Sequence, residues 1–332
     1  MMSDFTCDTK YHRDLLGLGA FAIAVVILGF VLQKPYHLTL ATDTCVYAIA
    51  ALGMFILFGL CGQISVGQAA FFGIGAYTSA LLVMRTGMPV AVGIMASVAL
   101  SSVIGWLISR PILSLETNYL AMATLAFGVA VYVIFSQAIS ITGGLDPGIF
   151  GIPPISLFGV TLASPAAKFW TVGAFTLLAL LLTINLRHSR AGRAFLALRG
   201  SEVATAGLGV DVVRYKVIAF TFSAGLAGLA GALFGFTQGS FSANNFNVGL
   251  SIELLVMVVV GSLSSPWGAL FGAFFITFVP TLLDDFQAYK LIIYGGILLI
   301  VTVLMPNGLA RAIYDAARSG FAKLGLRRSH AR

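Results

Sequence analysis

Residues that could do catalytic chemistry are scarce in this chain. Four histidines lie in the tails or at the edges of apolar runs: His12, His37, His188 and His330. No His-Glu-x-x-His pair is present, so a zinc-peptidase site is not indicated. Three cysteines are spread through the first part of the chain without a Cys-x-x-Cys pair: Cys7, Cys45 and Cys61. The sequence therefore indicates neither a catalytic centre nor a metal or other cofactor.

The residues that drive most transport proteins are missing as well. A phosphate-binding loop places a lysine directly after a glycine, and none of the six lysines here follows one. Ion-coupled carriers need ionisable groups inside their membrane spans, whereas Asp43 and Glu253 lie near the predicted outer ends of theirs. A pathway through this protein would therefore be nearly uncharged, and either passive or driven by another protein.

One short polar stretch, GQISVGQ at 62–68, interrupts two apolar runs. Two arrangements fit it: a tight cytoplasmic turn, or a break inside the membrane where irregular backbone lines a cavity. In either case Gln63, Ser65 and Gln68 need polar partners, which makes them candidates for a solute pathway. Glu253 is a fourth candidate, with pairing to a neighbour at the outer mouth as the alternative.

The elements that must position these residues are membrane helices. Hydrophobic residues make up 59% of the 332 positions and charged residues only 9%, whereas soluble domains carry about 25% charged residues. Long unbroken apolar runs predict helices rather than a barrel. We expect an all-α polytopic bundle of about ten spans (8–10), at 14–32, 37–60, 68–85, 90–109, 118–139, 169–186, 216–238, 250–263, 268–283 and 289–305.

The basic residues predict the orientation of this bundle. With a cytoplasmic N-terminus, only four of the 19 lysines and arginines fall outside: Lys34, Arg85, Lys168 and Lys290. The positive-inside rule then places both termini in the cytoplasm and explains the net charge of +7 without nucleic acid. The domains follow as a tail at 1–13, a membrane domain at 14–310 and a basic tail at 311–332.

The longest cytoplasmic loop, 187–216, carries its own helix signals. Ser201 is placed to cap a helix that begins at Glu202, and Gly209 suits the left-handed residue that ends one. Asp211 can cap the next helix. A slim helix containing Ala206 and Gly207 could seat in a groove of another protein, or the loop could lie on the membrane surface.

Seven stretches in the same order resemble ABC-importer permeases of the branched-chain amino acid family, LivM type. The central one is LRGSEVATAGLGVDVVRYKVIAFTFSAGLAGLAGALFG at 198–235. The others lie at 62–82, 118–128, 141–153, 189–199, 251–273 and 291–309. The resemblance implies a permease subunit, not an enzyme, in a bacterial inner membrane. It also implies a second homologous permease, two cytoplasmic ATPase subunits, a soluble substrate-binding protein and surrounding membrane lipid.

The resemblance also assigns residues to ATPase coupling. They are Arg199, Glu202, Ala206, Gly207 and Gly209. Family members often have an acidic residue and an asparagine where this chain has Gly200 and Ser201, so the charge of the contact differs here. Leucine, isoleucine and valine are the default solutes, with urea, amides and other amino acids as alternatives. A self-sufficient channel for a small neutral solute is the alternative function.

Overall fold

Helices form nearly all of the described chain, because only helices satisfy the backbone of so apolar a chain within lipid. The computed structural model describes residues 2–32, 34–112, 117–157, 160–282 and 295–296. Seven helices there are long and apolar enough to cross a membrane, and a bent helix pair brings the number to eight if it counts as one span. The prediction of an all-α polytopic membrane bundle is confirmed.

The long helices follow the predicted apolar runs closely. They are α1 (Met2–Val31), α2 (Pro35–Met54), α3 (Gln68–Thr86), α4 (Val90–Ile112), α5 (Thr117–Gln137), α7 (Pro165–His188) and α10 (Val212–Gln238). The short ones are α6 (Ile139–Thr142), α8 (Arg190–Gly200) and α9 (Glu202–Gly207). Helix α1 also takes in residues 2–13, which the sequence assigned to a tail, although its membrane-spanning part begins at Asp14.

The last two described helices differ from the prediction. Helices α11 (Val248–Gly261) and α12 (Pro266–Leu282) meet at an angle of 120° across a four-residue break. Two separate spans were expected here, but the pair has the form of one broken span or a re-entrant loop. Within the break the Ser262 and Ser264 hydroxyls bond to each other at 2.8 Å, and the Ser264 amide donates to Ser262 Oγ at 3.3 Å. The predicted span at 289–305 and the tail at 311–332 lie outside the described residues.

Helix α10 is the centre of the bundle and packs against α2, α3 and α4. Its small residues allow this close approach. A methyl group added at Gly231 would collide with the Phe72 carbonyl oxygen, and one added at Gly75 would collide with the backbone of Gly228. Gly228 and Gly231 of this helix are therefore packing positions.

The connections gather at two opposite ends of the bundle. At one end, strand β1 (Ile149–Phe150) of the long 140–168 loop pairs with strand β4 (Ser240–Phe241) after α10. The same loop contains the hairpin of β2 (Ser156–Leu157) and β3 (Val160–Thr161), so three of the four short strands lie in it. Towards the other end lie the 187–216 loop, the buried 61–67 stretch and the α11–α12 break, which Arg199 of the loop contacts through the Gly59 and Leu263 carbonyls.

Candidate functional site

The polar stretch between α2 and α3 is a break buried inside the bundle. A π-helical segment, Phe55–Leu60, continues α2 and directly precedes this stretch. Such π-helical turns are frequent at functional sites. The Val66 amide donates to Thr124 Oγ1 of α5 at 3.1 Å, and the Ala69 amide donates to Ser251 Oγ of α11 at 2.9 Å. Because its backbone groups bond to helices on two sides, the stretch resembles an intramembrane break rather than an exposed turn.

Gln68 joins three helices at this break. Its Nε2 donates to Ser223 Oγ of α10 at 2.6 Å, and that hydroxyl donates to the Gly53 carbonyl of α2 at 2.6 Å. All three residues are buried. Sequence reasoning missed Ser223, although a lone serine in an apolar, glycine-rich helix was a usable signal.

The break also contains polar atoms without partners among the described residues. Both amide atoms of the Gln63 side chain and Oε1 of Gln68 are buried and form no hydrogen bond. Ser65 accepts only a local bond of 3.4 Å, from the Gly67 amide. Leaving a buried amide unpaired costs about 1–3 kcal/mol, so such groups require a reason. Here they are available to a solute or to water.

The fourth predicted pathway residue lies apart from these three. Glu253 is exposed on α11, whereas Ser251, two residues earlier, is buried against the start of α3. The structure therefore brings Gln63, Ser65 and Gln68 into one buried break. It leaves Glu253 exposed on the surface of the subunit.

The predicted helix in the loop is present and has the predicted ends. Ser201 Oγ accepts a bond from the Ala204 amide at 3.2 Å, so it caps α9. Gly209 has a φ of +80°, the left-handed conformation expected after a helix. Asp211 accepts from the Arg214 amide at 3.0 Å and caps α10.

The outward face of α9 is apolar. Val203 and Leu208 are 85% and 81% exposed, and they are among the most exposed large hydrophobic residues of the described chain. Ala206, Gly207 and Gly209 are exposed beside them, and a side chain added at either glycine would meet open space. Sequence reasoning emphasised the small residues and missed the two large ones. An exposed apolar group of this kind marks an interaction surface.

The inward face of α9 is attached to the central helix by an ion pair. Glu202 Oε1 lies 2.6 Å from Lys216 Nζ of α10, with the side chains 41% and 5% exposed, respectively. Ser223 lies seven residues further along the same helix. Sequence reasoning treated Lys216 only as a basic residue of the cytoplasmic loop, because its burial depends on how α10 packs.

Arg199 connects the polar stretch after α2 with the break between α11 and α12. One guanidinium nitrogen, Nη1, donates to the Gly59 carbonyl at 2.5 Å and to the Leu263 carbonyl at 3.0 Å. Of the five predicted coupling residues, Arg199 and Glu202 thus bond to their own subunit, while Ala206, Gly207 and Gly209 are exposed. A coupling role for all five remains a prediction.

A polytopic bundle with a polar break in its interior and a short exposed helix at one end is consistent with a membrane permease. Residues 36–302 match the family described as branched-chain amino acid transport system / permease component. The chain belongs to this family, and the resemblance to ABC-importer permeases of LivM type is confirmed. It is a multi-pass membrane protein and a transport component.

Individual relatives agree with this assignment. The chain is 33% identical to the high-affinity branched-chain amino acid transport system permease protein LivM of Escherichia coli (strain K12), over 91% of this chain and 76% of the relative. It is 25% identical to LivH of the same strain, over 79% and 90%. It is also 25% identical to the ribose import permease protein RbsC of Haemophilus influenzae, over 92% and 98%.

Proposed function

We propose that this chain is one of two permease subunits of an ATP-driven importer in the bacterial inner membrane. Its partners are a second, homologous permease, two cytoplasmic ATPase subunits and a soluble binding protein that delivers solute from outside. The observation that carries the proposal is the position of α9, which has an apolar outward face and an ion pair to α10 on its inward face.

The coupling route in this proposal runs along α10. A displacement of α9 by an ATPase reaches α10 through the Glu202–Lys216 pair and then reaches the buried break through Ser223 and Gln68. The Arg199 bonds to Gly59 and Leu263 would make both breaks move with the loop. Discrete hydrogen-bonded contacts of this kind can carry coupling between distant sites.

The proposed solutes are branched-chain amino acids. LivM is named for these solutes and shares 33% identity with the chain, against 25% for the ribose permease. A pathway with uncharged amide and hydroxyl groups at its break suits a solute with no net charge and an apolar side chain. The free amide of Gln63 is the group proposed to contact it.

Reconstitution tests this proposal. Proteoliposomes containing the chain, the second permease and the ATPases, with binding protein and labelled leucine, should show uptake that requires ATP. Omitting the ATPases should abolish uptake, and excess isoleucine or valine, but not ribose, should compete. Leucine flux through the chain alone would instead support the channel alternative, and competition by ribose alone would refute the choice of solute.

A further inference from the structure

A groove between α4 and α10 lies at the same end of the bundle as the 187–216 loop. Its volume is about 690 Å³, and the last turns of α4 and the first turns of α10 line it. Arg110 and Arg214 line it near the end of α4 and the start of α10, while Trp106, Val217 and Phe222 line it further along the two helices. The groove is thus cationic at the end of the helices and apolar one to two turns further in.

The two arginines are available to a ligand. Both are exposed, and the Arg110 guanidinium carbon lies 4.1 Å from the centroid of the Trp106 ring. This cation–π contact orients the guanidinium, and neither arginine forms an ion pair within the described residues. Asp211 also lines the groove, and its Oδ1 caps α10 through the Arg214 amide. The described lining therefore carries two cations and one anion, so its net charge is positive.

We propose that this groove binds an anionic phospholipid. The phosphate headgroup would lie between Arg110 and Arg214, where guanidinium groups form charge-assisted bonds to phosphate oxygens. The positive end of the α10 dipole adds to this attraction. An acyl chain would follow the wall of Val217 and Phe222, with the Trp106 ring at the interface, where tryptophan is enriched.

The apolar lining favours a membrane lipid over a free phosphate. Apolar residues continue along the groove from the two arginines, and Phe222 among them is 48% exposed. A soluble ion would leave this apolar surface uncovered. Basic grooves between membrane helices on the cytoplasmic side are typical headgroup sites. The site depends only on the chain being a membrane protein, so its test is independent of the proposed solute and coupling route.

Native mass spectrometry of the detergent-extracted assembly tests the site. The probes are dioleoyl phosphatidylglycerol and dioleoyl phosphatidylcholine, which have the same acyl chains and differ in headgroup charge. We expect the R110Q/R214Q variant to bind phosphatidylglycerol about thirtyfold more weakly, from about 1 kcal/mol per basic residue. The matched control is R190Q, which removes an exposed arginine of α8 that lies outside the groove, and it should bind as the unmodified chain does.

Three results would overturn the inference. The first is equal phosphatidylglycerol binding by R110Q/R214Q and the unmodified chain. The second is equal binding of the two lipids by the unmodified chain. The third is displacement of phosphatidylglycerol by millimolar inorganic phosphate, which would assign the groove to a soluble anion. The single variants R110Q and R214Q, each expected to weaken binding about fivefold, provide the test if the double variant does not assemble.

Discussion

At the scale of single residues, two glutamines five positions apart have opposite energetic roles. Gln68 is anchored by its bond to Ser223, whereas both polar atoms of Gln63 are buried without a partner. A buried amide without a partner lowers stability, and proteins retain such groups where function uses them. These contacts favour the proposed pathway role for Gln63 and a structural role for Gln68, which keeps a single unpaired acceptor.

Methionine substitutions separate these roles. Gln63→Met should raise the free energy of unfolding by about 1 kcal/mol, because it removes an unpaired amide, and should reduce leucine uptake. Gln68→Met should lower stability by about 1–2 kcal/mol, because it leaves the Ser223 hydroxyl without its donor. Unfolding midpoints and uptake measured on the same preparations check both. A loss of stability in Gln63→Met would contradict the assignment.

The Glu202–Lys216 pair makes a second prediction at this scale. Glu202→Gln leaves a buried ammonium without its carboxylate, so we expect a loss of about 1–2 kcal/mol, limited by the partial exposure of Glu202. Lys216→Met removes the buried charge and should cost less, within about 0.5 kcal/mol of the unmodified chain. Thermal unfolding in one detergent compares them. Equal losses in the two variants would show that the pair is not effectively buried.

At the scale of elements, α9 is too short to be stable alone and depends on contacts with the rest of the subunit. A six-residue helix is marginal in isolation, and here three contacts hold it: the Ser201 cap, the buried Thr205 and the ion pair to α10. With these contacts on one side, Val203 and Leu208 remain for a partner.

Two glycines allow a matched test of this surface. Gly207 lies on α9 and Gly200 ends α8, and a Cβ atom added at either would have no described atom of this subunit within 4 Å. Gly207→Trp should therefore leave folding intact but reduce ATP-driven uptake on the order of tenfold, because it obstructs the partner's groove. Gly200→Trp should keep uptake near normal. Equal uptake in the two variants would place the ATPase contact elsewhere.

At the scale of the whole molecule, the position of Glu253 bears on assembly. Much of the exposed surface is apolar and therefore suited to contact with lipid. Leu16 on α1, for example, is 76% exposed. A carboxylate facing lipid would be costly, yet Glu253 is exposed on the apolar helix α11. Its face is therefore expected to meet water or the second permease rather than lipid.

Cysteine labelling tests that expectation. In a background with Cys7 replaced by serine, Glu253→Cys should react with a membrane-impermeant maleimide added from outside, and the second permease should slow the reaction. Leu16→Cys should not react, because lipid covers it. Cys45 and Cys61 are buried and give little background. Equal labelling of the two new cysteines would contradict the expectation that the Glu253 face meets water or the second permease.

Several features were accessible from the sequence because they are local. Apolar run lengths predicted the long helices, and the caps at Ser201, Gly209 and Asp211 depend on neighbours a few residues away. Local patterns also predicted two helices at 250–263 and 268–283. They could not predict the angle of 120° between these helices, which depends on tertiary packing.

Composition, span lengths, helix caps and the motifs of the family were thus determined by the sequence itself, since each depends on residue type and short-range spacing. Only the tertiary structure decided that Arg199 bonds to Gly59 across 140 positions and that Gln68 bonds to Ser223 across 155. It likewise decided the burial of Lys216 and the exposure of Glu253. Burial and pairing are set by which helices pack together, and no local pattern specifies that choice.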